Sequence, residues 1–229
     1  MAVILLDFFG TLVDYDPSRT AQGYHRTHAL LGDLGLDIGY AEFLERWSAI
    51  SARFDEASSI EDREFSMVEL GHAFLAEIGR PATDAEVGTV VAAYLADWNQ
   101  GVHAITGVVE LLDRLAADHR LAVVTNTHDP ELVPEHLAAM GMDRHVDRVI
   151  TSVEIGWRKP HPAIFAAAVE ALDATPEECT FVGDTKSADY DGPRAAGMHA
   201  LLIDPQARHD IPDAHRLSSV LDLPHRLRP

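Results

Sequence analysis

The chain has 229 residues, of which 47% are hydrophobic and 24% charged, as is ordinary for a globular protein with a substantial core. Its formal net charge of −19 argues against nucleic acid as a partner, because no basic surface is available to neutralise phosphates. The single cysteine, Cys179, excludes an internal disulfide and fits a reducing compartment. We find no apolar run of the roughly 18 residues that a membrane helix needs and no leader before the first apolar run. We therefore expect a cytoplasmic protein with no membrane partner, and the sequence carries no signal for its oligomeric state.

The first predicted element is a strand over residues 2–6, an unbroken apolar run. Such a run is typical of a strand buried on both faces of a parallel sheet that helices cover. Asp7 follows at once, and Gly10 lets the chain turn away because glycine tolerates positive φ. A carboxylate at the C-terminal end of a buried parallel strand lies where open α/β sheets bind ligands. A turn capped by Asp7 is the purely structural alternative.

A helical block follows this strand. Its residues show no strand-like alternation and carry apolar side chains at helical spacing. Ser66 with Glu69, and Thr83 with Glu86, have the form of a capping box, which begins a helix. Helices are predicted over residues 20–34, 40–58, 66–78 and 84–98.

From Gly107 onward the chain alternates between helix and strand. Repeated βα units predict a mainly parallel sheet with right-handed crossovers. Because the helical block contains no strand that could extend this sheet, we expect a core of residues 1–15 and 100–229 and a helical subdomain of residues 16–99. Predicted strands cover residues 121–124, 148–151, 179–182 and 200–203, and predicted helices cover 107–118, 130–141, 162–172 and 191–197.

Polar side chains follow the predicted strands, whose ends share one edge of a parallel sheet. Asp7, Asp184 and Asp189 offer three carboxylates, which suit a Mg²⁺ ion shared with a substrate phosphate. Without a cation, three crowded carboxylates would repel and could not all stay ionised. Asp184 as a helix cap is the structural alternative. The groups expected to meet at this edge are Asp7, Thr125, Asn126, Lys159, Asp184 and Asp189.

Four motifs stand at these strand ends and loops. In chain order they are Asp7-Phe-Phe-Gly-Thr-Leu-Val-Asp14, Val124-Thr-Asn126, Gly156-Trp-Arg-Lys159-Pro160, and Gly183-Asp184 followed by Asp189 and Gly192. With these motifs the chain resembles the haloacid dehalogenase-like (HAD) hydrolase superfamily over nearly its whole length. The resemblance implies an α/β fold, with a Rossmann-like parallel sheet core and an inserted all-helical cap subdomain. It also implies a Mg²⁺-dependent phosphomonoester hydrolase that forms an aspartyl-phosphate intermediate with a small phosphorylated metabolite.

The resemblance implies a role for each motif residue. Asp7 would be the nucleophile, and Lys159 would neutralise both the nucleophile and the phosphate. Thr125 would hydrogen-bond the phosphoryl oxygens, with Thr11 and Asn126 as further phosphate-binding residues. The Mg²⁺ ligands, direct or through water, would be Asp7, the backbone carbonyl of Phe9, Asp184 and Asp189.

Phe9 departs from the phosphatase pattern. Phosphatases of this family usually carry a second Asp two residues after the nucleophile, and that Asp acts as general acid and base. Such catalysis is worth about 10²–10⁴-fold. The 2-haloacid dehalogenases of the family have an aromatic residue here, because a halide leaves without a proton and their Asp attacks carbon without a metal. They have Ser and Asn, however, where this chain has Gly183-Asp184-Thr185. A dehalogenase-type hydrolase, or a HAD-fold protein that binds a phosphorylated ligand with little turnover, is therefore the alternative.

The helical subdomain is where we expect substrate identity to be decided. Its polar residues could face the core, or they could lie on solvated helix faces. The sequence does not choose among sugar phosphates, nucleotides, phosphorylated acids and a flavin phosphate. The candidates are Tyr24, His25, Arg26, Arg53 and Arg63.

Overall fold

The sheet has six parallel strands in the order β5-β4-β1-β6-β7-β8. This computed structural model describes residues 2–16 and 22–227. A separate antiparallel pair joins two strands of two residues each, β2 and β3. The strands are β1 (Val3–Leu6), β2 (Val13–Asp14), β3 (His103–Ala104), β4 (Arg120–Thr125), β5 (Arg148–Thr151), β6 (Cys179–Gly183), β7 (His199–Ile203) and β8 (Arg216–Leu217).

Strand β1 lies in the middle of the sheet, and all four of its residues are buried. It pairs with β4 and β6, so that Leu6 lies beside Val123 on one side and Val182 on the other. Helices pack on these strands; Phe165, for example, meets Phe181 edge-on with ring centroids 5.8 Å apart. The unbroken apolar run of β1 is thus explained by burial on both faces, and the predicted α/β fold with a parallel sheet is confirmed.

The helices that come after residue 103 follow the strands of the sheet along the chain. In the helix Val108–Ala116, the side chains of Leu111, Leu112 and Leu115 form a buried stripe at helical spacing. The helix predicted over 191–197 differs, because a π-helical turn, Lys186–Asp191, precedes a helix of only four residues. The helices are α5 (Val108–Ala116), α6 (Leu132–Ala139), α7 (Ser152–Ile155), α8 (Pro162–Ala171), α9 (Gly192–Ala195) and α10 (Leu223–Arg226).

The predicted helical block contains four α-helices among its described residues. Both predicted capping boxes are present: the Ser66 hydroxyl accepts from the Glu69 N–H at 3.1 Å while the Glu69 carboxylate accepts from the Ser66 N–H at 2.7 Å, and Thr83 with Glu86 does the same. Residues 20 and 21 of the helix predicted over 20–34 lie outside the described residues, residues 22–24 are not helical, and the helix begins at His25. The helices are α1 (His25–Asp33), α2 (Tyr40–Glu61), α3 (Met67–Glu77) and α4 (Asp84–Trp98).

The chain divides into two compact units. The sheet unit comprises residues 1–14 and 103–229, and the helical unit comprises Tyr15–Val102. The helical subdomain predicted from the sequence, residues 16–99, begins one residue later and ends three residues earlier than this unit. The difference arises because strands as short as β2 and β3 give no periodic signal. Val13 pairs with Ala104 and Asp14 with His103. The two segments of the sheet unit therefore meet at this antiparallel pair, where the chain leaves the unit and returns to it. No helix in the described ranges is long and apolar enough to cross a membrane.

Candidate active site

A buried lysine joins two buried carboxylates at the carboxyl edge of the sheet. Lys159 Nζ donates hydrogen bonds to Asp7 Oδ1 and to Asp189 Oδ1, each at 2.7 Å. None of the three residues is more than 6% exposed. Asp7 follows β1 directly and Asp189 lies in the turn after the neighbouring strand β6, which explains why residues so distant in sequence meet. The structure thus brings together groups that the sequence placed at one sheet edge.

Asp184 completes a cluster of three carboxylates. Asp7, Asp184 and Asp189 each offer a carboxylate oxygen, and these oxygens all lie within 4.8 Å of one another. The pKa of Asp7 is raised to about 7, because burial, together with repulsion from Asp189 and Asp184, outweighs the lowering by Lys159. Burial and Asp189 also raise the pKa of Asp184. One ammonium cannot balance three carboxylates, so the donor set fits a hard divalent cation such as Mg²⁺.

Two glycines let the backbone pass close to these carboxylates. Gly10 has a φ of 79°, and a Cβ added there would clash with the carboxylate of Asp184. A Cβ on Gly183 would clash in the same way with the carboxylate of Asp189. Both positions therefore require glycine, for close approach and, at Gly10, also for its left-handed backbone.

The π-helical turn fixes Asp189. The Thr185 N–H donates to Asp189 Oδ2 at 2.9 Å, and the Asp189 N–H donates to the Thr185 carbonyl at 2.7 Å. One oxygen of Asp189 is thereby held by its own turn while the other receives Lys159. A π-helical turn of this kind is frequent at functional sites, and no pattern in the sequence predicts it.

Two threonines carry buried hydroxyl groups that a ligand could satisfy. Thr11 lies in the loop after β1 and Thr125 ends β4, and neither is more than 1% exposed. In the described part of the chain, neither hydroxyl has a hydrogen-bond partner. Because buried polar groups are almost always hydrogen-bonded, these hydroxyls are suitable donors for the oxygens of a bound anion.

Asn126, which follows Thr125, and Phe9, which follows Asp7 by two residues, make contacts that the sequence did not indicate. The side chain of Asn126 exchanges two hydrogen bonds with the backbone of Lys159, 33 residues away. The ring of Phe9 packs edge-on against Phe8, with centroids 4.9 Å apart and planes at 85°. Phe9 therefore brings an apolar ring to its loop, and a metal-binding role for its carbonyl stays a prediction.

The substrate-facing candidates of the helical unit make contacts within that unit. Tyr24 is fully buried and stacks on Tyr94 with ring centroids 4.8 Å apart, so it is a core residue. Arg53 pairs with Glu77, and a nitrogen of Arg26 lies 4.0 Å from Asp97. His25 stacks on Tyr40 and Arg63 follows the C-terminus of α2.

Residues 1–197 match the family model of the haloacid dehalogenase-like hydrolases. The human haloacid dehalogenase-like hydrolase domain-containing protein 3 is 40% identical over 110 residues, 45% of this chain and 43% of that protein. The phosphoserine phosphatase of Thermus thermophilus is 38% identical over 94 residues, 41% of this chain and 37% of that enzyme. The chain therefore spans less than half the length of each of these two relatives.

Two further comparisons cover nearly the whole chain. The ribulose-1,5-bisphosphate 5-phosphatase of Halopiger xanaduensis is 26% identical over 211 residues, 90% of this chain and 86% of that enzyme. The crystal structure of a 2-haloacid dehalogenase from Pseudomonas syringae pv. Tomato DC3000 superposes with a TM-score of 0.76, at 22% identity, over 99% of this chain and 98% of that one. At this identity the structural match establishes the fold alone.

Proposed function

The chain belongs to the haloacid dehalogenase-like hydrolase family, and we propose that it is a Mg²⁺-dependent phosphomonoester hydrolase acting on a small phosphorylated metabolite. The observation that carries the proposal is the cluster of Asp7, Asp184 and Asp189 around Lys159. A nucleophile requires only one carboxylate, whereas three carboxylates and one ammonium leave two negative charges for a divalent cation to balance. The relatives named as phosphatases support the same reaction class.

Asp7 is the nucleophile of the proposed reaction. Its carboxylate oxygen attacks the phosphorus, the bond from phosphorus to the ester oxygen breaks, and the electron pair leaves with that oxygen. Water then attacks the phosphorus of the aspartyl-phosphate, the bond to Asp7 breaks, and inorganic phosphate is released. Lys159 neutralises charge on Asp7 and on the phosphoryl group, and the Thr11 and Thr125 hydroxyls donate to its oxygens.

Mg²⁺ would be held by Asp7, Asp184, Asp189 and the Phe9 carbonyl, directly or through water. When bound, it supplies electrostatic stabilisation of the charge on the phosphoryl oxygens. Asp7 must be ionised both to hold the metal and to attack, and the cation would offset the burial and repulsion that raise the pKa of this carboxyl to about 7.

The helical unit enters the proposal as a cap that selects the substrate. Its four helices lie between two segments of the sheet unit in sequence, as an inserted domain does.

The buried thiol of Cys179, the single cysteine of the chain, supports a reducing, cytoplasmic location.

A second candidate function is hydrolytic dehalogenation, and the observation that favours it is Phe9. Asp7 would attack the carbon that bears the halogen, and the halide would leave with its electron pair and no proton. This reaction needs no metal, so it would leave Asp184, a half-buried member of the cluster, without a task. The third possibility, a protein that binds a phosphorylated ligand with little turnover, would use the same site.

The test compares Asp7→Asn with Asp113→Asn, which changes an exposed carboxylate on α5 of the same unit. With Mg²⁺ and an aryl phosphate, wild-type protein and Asp113→Asn should release phosphate at equal rates. Asp7→Asn should lose several orders of magnitude in rate, since the amide cannot attack phosphorus. Wild-type rates in Asp7→Asn would refute the proposal. Vanadate binding without any product would support the binding protein instead.

A further inference from the structure

The side chain of Asn126 holds both backbone polar groups of Lys159. The Lys159 N–H donates to Asn126 Oδ1 at 2.7 Å, and Asn126 Nδ2 donates to the Lys159 carbonyl at 3.1 Å. Within residues 2–16 and 22–227, these two groups of Lys159 have no other hydrogen-bond partner. The amide thus makes the reciprocal pair of bonds that a neighbouring strand would make.

This contact matters because Lys159 lies outside any helix or strand while its ammonium must meet two partners at once. Nζ lies 2.7 Å from both Asp7 and Asp189, and Lys159 is only 4% exposed. Without the amide, a buried N–H and a buried carbonyl would lose their partners, which favours a different path for this loop. A displacement of about 1 Å is enough to break such a two-point contact and to impair catalysis.

Asn126 itself is held from both sides. Thr125 before it is the last residue of β4. Thr127 after it is fixed by Ser152, because the Thr127 N–H donates to the Ser152 hydroxyl at 2.9 Å and that hydroxyl donates to the Thr127 carbonyl at 3.1 Å. Ser152 is fully buried and begins α7, directly after the adjacent strand β5. The amide therefore projects from a rigid segment, as a positioning group must.

We propose that Asn126 is a positioning residue, which fixes the backbone of Lys159 so that the ammonium reaches Asp7 and Asp189, and that it does not bind phosphate itself. The catalytic consequence rests on the proposed phosphatase function, whereas the placement of Lys159 does not. The two parts are tested by separate measurements.

The placement is tested by chemical labelling of lysine. The chain has only two lysines, Lys159 and Lys186, whose side chains are 2% and 35% exposed. Limited acetylation followed by peptide mass spectrometry therefore gives a labelling ratio with an internal reference. Asn126→Ala should raise the ratio of Lys159 to Lys186 labelling by about tenfold or more, because two hydrogen bonds are lost. The matched control, Asn99→Ala, changes the other asparagine of the chain, in the helical unit, and should leave the ratio at the wild-type value.

Asn126→Asp keeps the test open if Asn126→Ala melts without a cooperative transition. The carboxylate still accepts from the Lys159 N–H but cannot donate to the Lys159 carbonyl, so the labelling ratio should still rise above the wild-type value. A wild-type ratio in the folded Asn126 variants would overturn the proposal. Neither result depends on whether the protein hydrolyses anything.

The catalytic consequence is tested by a double-mutant cycle with an aryl phosphate. Asn126→Ala should lower kcat/KM by about tenfold or more in the wild-type background and by less than about threefold in Lys159→Ala, because a group that acts through Lys159 has no effect without it. An equal loss in both backgrounds would show that Asn126 contacts the phosphate on its own and would overturn the proposal. If wild-type protein releases no phosphate at all, the proposed function fails and the labelling result still decides the placement.

Discussion

Lys159 supplies a compact charge at a buried position, in contact with two carboxylates. Its ammonium lies between Asp7 and Asp189, and 4.9 Å from the centroid of the Phe181 ring. Burial alone would lower the pKa of Lys159, but Asp189 and Asp7 outweigh it and raise that pKa above its usual value. The side chain is therefore a permanent cation whose neighbours are packed around it.

We expect Lys159→Arg to fail as a replacement, because the planar guanidinium is larger and cannot meet both carboxylates as a point charge. Lys159→Arg and Lys159→Ala should both lose turnover, with vanadate inhibition weakened in parallel. Lys186→Arg is the matched control, since the pair of Lys186 with Asp191 is partly exposed and such pairs contribute little. Vanadate inhibition at wild-type strength in Lys159→Ala would remove Lys159 from the phosphate site.

In the proposed phosphatase reaction, Phe9 should limit the leaving groups that the site can expel. An aromatic ring cannot donate a proton, so the departing oxygen must leave nearly unprotonated or take its proton from water. The rate should therefore depend steeply on leaving-group pKa, with aryl and acyl phosphates favoured over alkyl phosphates. Phe9→Asp should flatten this dependence and accelerate poor leaving groups by up to about 10²–10⁴-fold, less the loss from misplacement and from removing a packed ring.

The measurement is kcat/KM for a series of phosphomonoesters of graded leaving-group pKa, with wild-type protein and with Phe9→Asp. A shallow slope in the wild-type protein would show that another group, such as His128 or His161 near the strand ends, already supplies the proton.

The turn that joins β7 to β8 depends on Asp204. Burial pushes the pKa of Asp204 upward, but hydrogen bonds from the Arg208 and His209 N–H groups and from Arg216 outweigh it and hold that pKa below its usual range. A carboxyl group whose folded-state pKa is depressed stabilises the fold above its unfolded pKa of about 3.9, and this stabilisation is lost as pH falls through the folded-state value.

Asp204→Asn should therefore lower Tm at neutral pH, and the difference from wild type should shrink as pH falls below about 4. Thermal melts of both proteins across this range test the prediction, with Asp210→Asn as a nearby control that should follow wild type. A difference that stays constant down to pH 2 would show that the charge on Asp204 does not contribute.

Some of the secondary-structure elements could be predicted from the sequence alone, and others could not. The apolar run of β1 and both capping boxes are local patterns, and each is present in the structure. The bonds between Asn126 and Lys159 are not local, because they depend on how two loops approach each other in the folded chain. The π-helical turn at Lys186–Asp191 and the two-residue strands are too short to produce a periodic signal.

In the whole molecule, the meeting of Asp7 with Asp184 and Asp189 follows from the rule that parallel strands share a carboxyl edge. Lys159 reaches the same edge from a loop after α7, which this rule does not place. The contacts of Tyr24 could not be predicted in this way, because helical periodicity does not show whether a tyrosine faces solvent or the core of its own unit.

The net charge of −19 gives an anionic substrate no long-range attraction. In the proposed phosphatase, substrate recognition would therefore come from local charge at the acidic cluster and its cation.

The measurement that tests this account most directly is phosphate release from an aryl phosphate in Mg²⁺ and in EDTA, with halide release from 2-chloropropionate followed on the same protein. We expect phosphate release that saturates with Mg²⁺ and is abolished by EDTA or by Asp184→Asn, together with no release of halide. Phosphate release at the full rate in EDTA would contradict the proposed metal dependence. Halide release that needs no metal would contradict the account and assign Asp7 to attack on carbon.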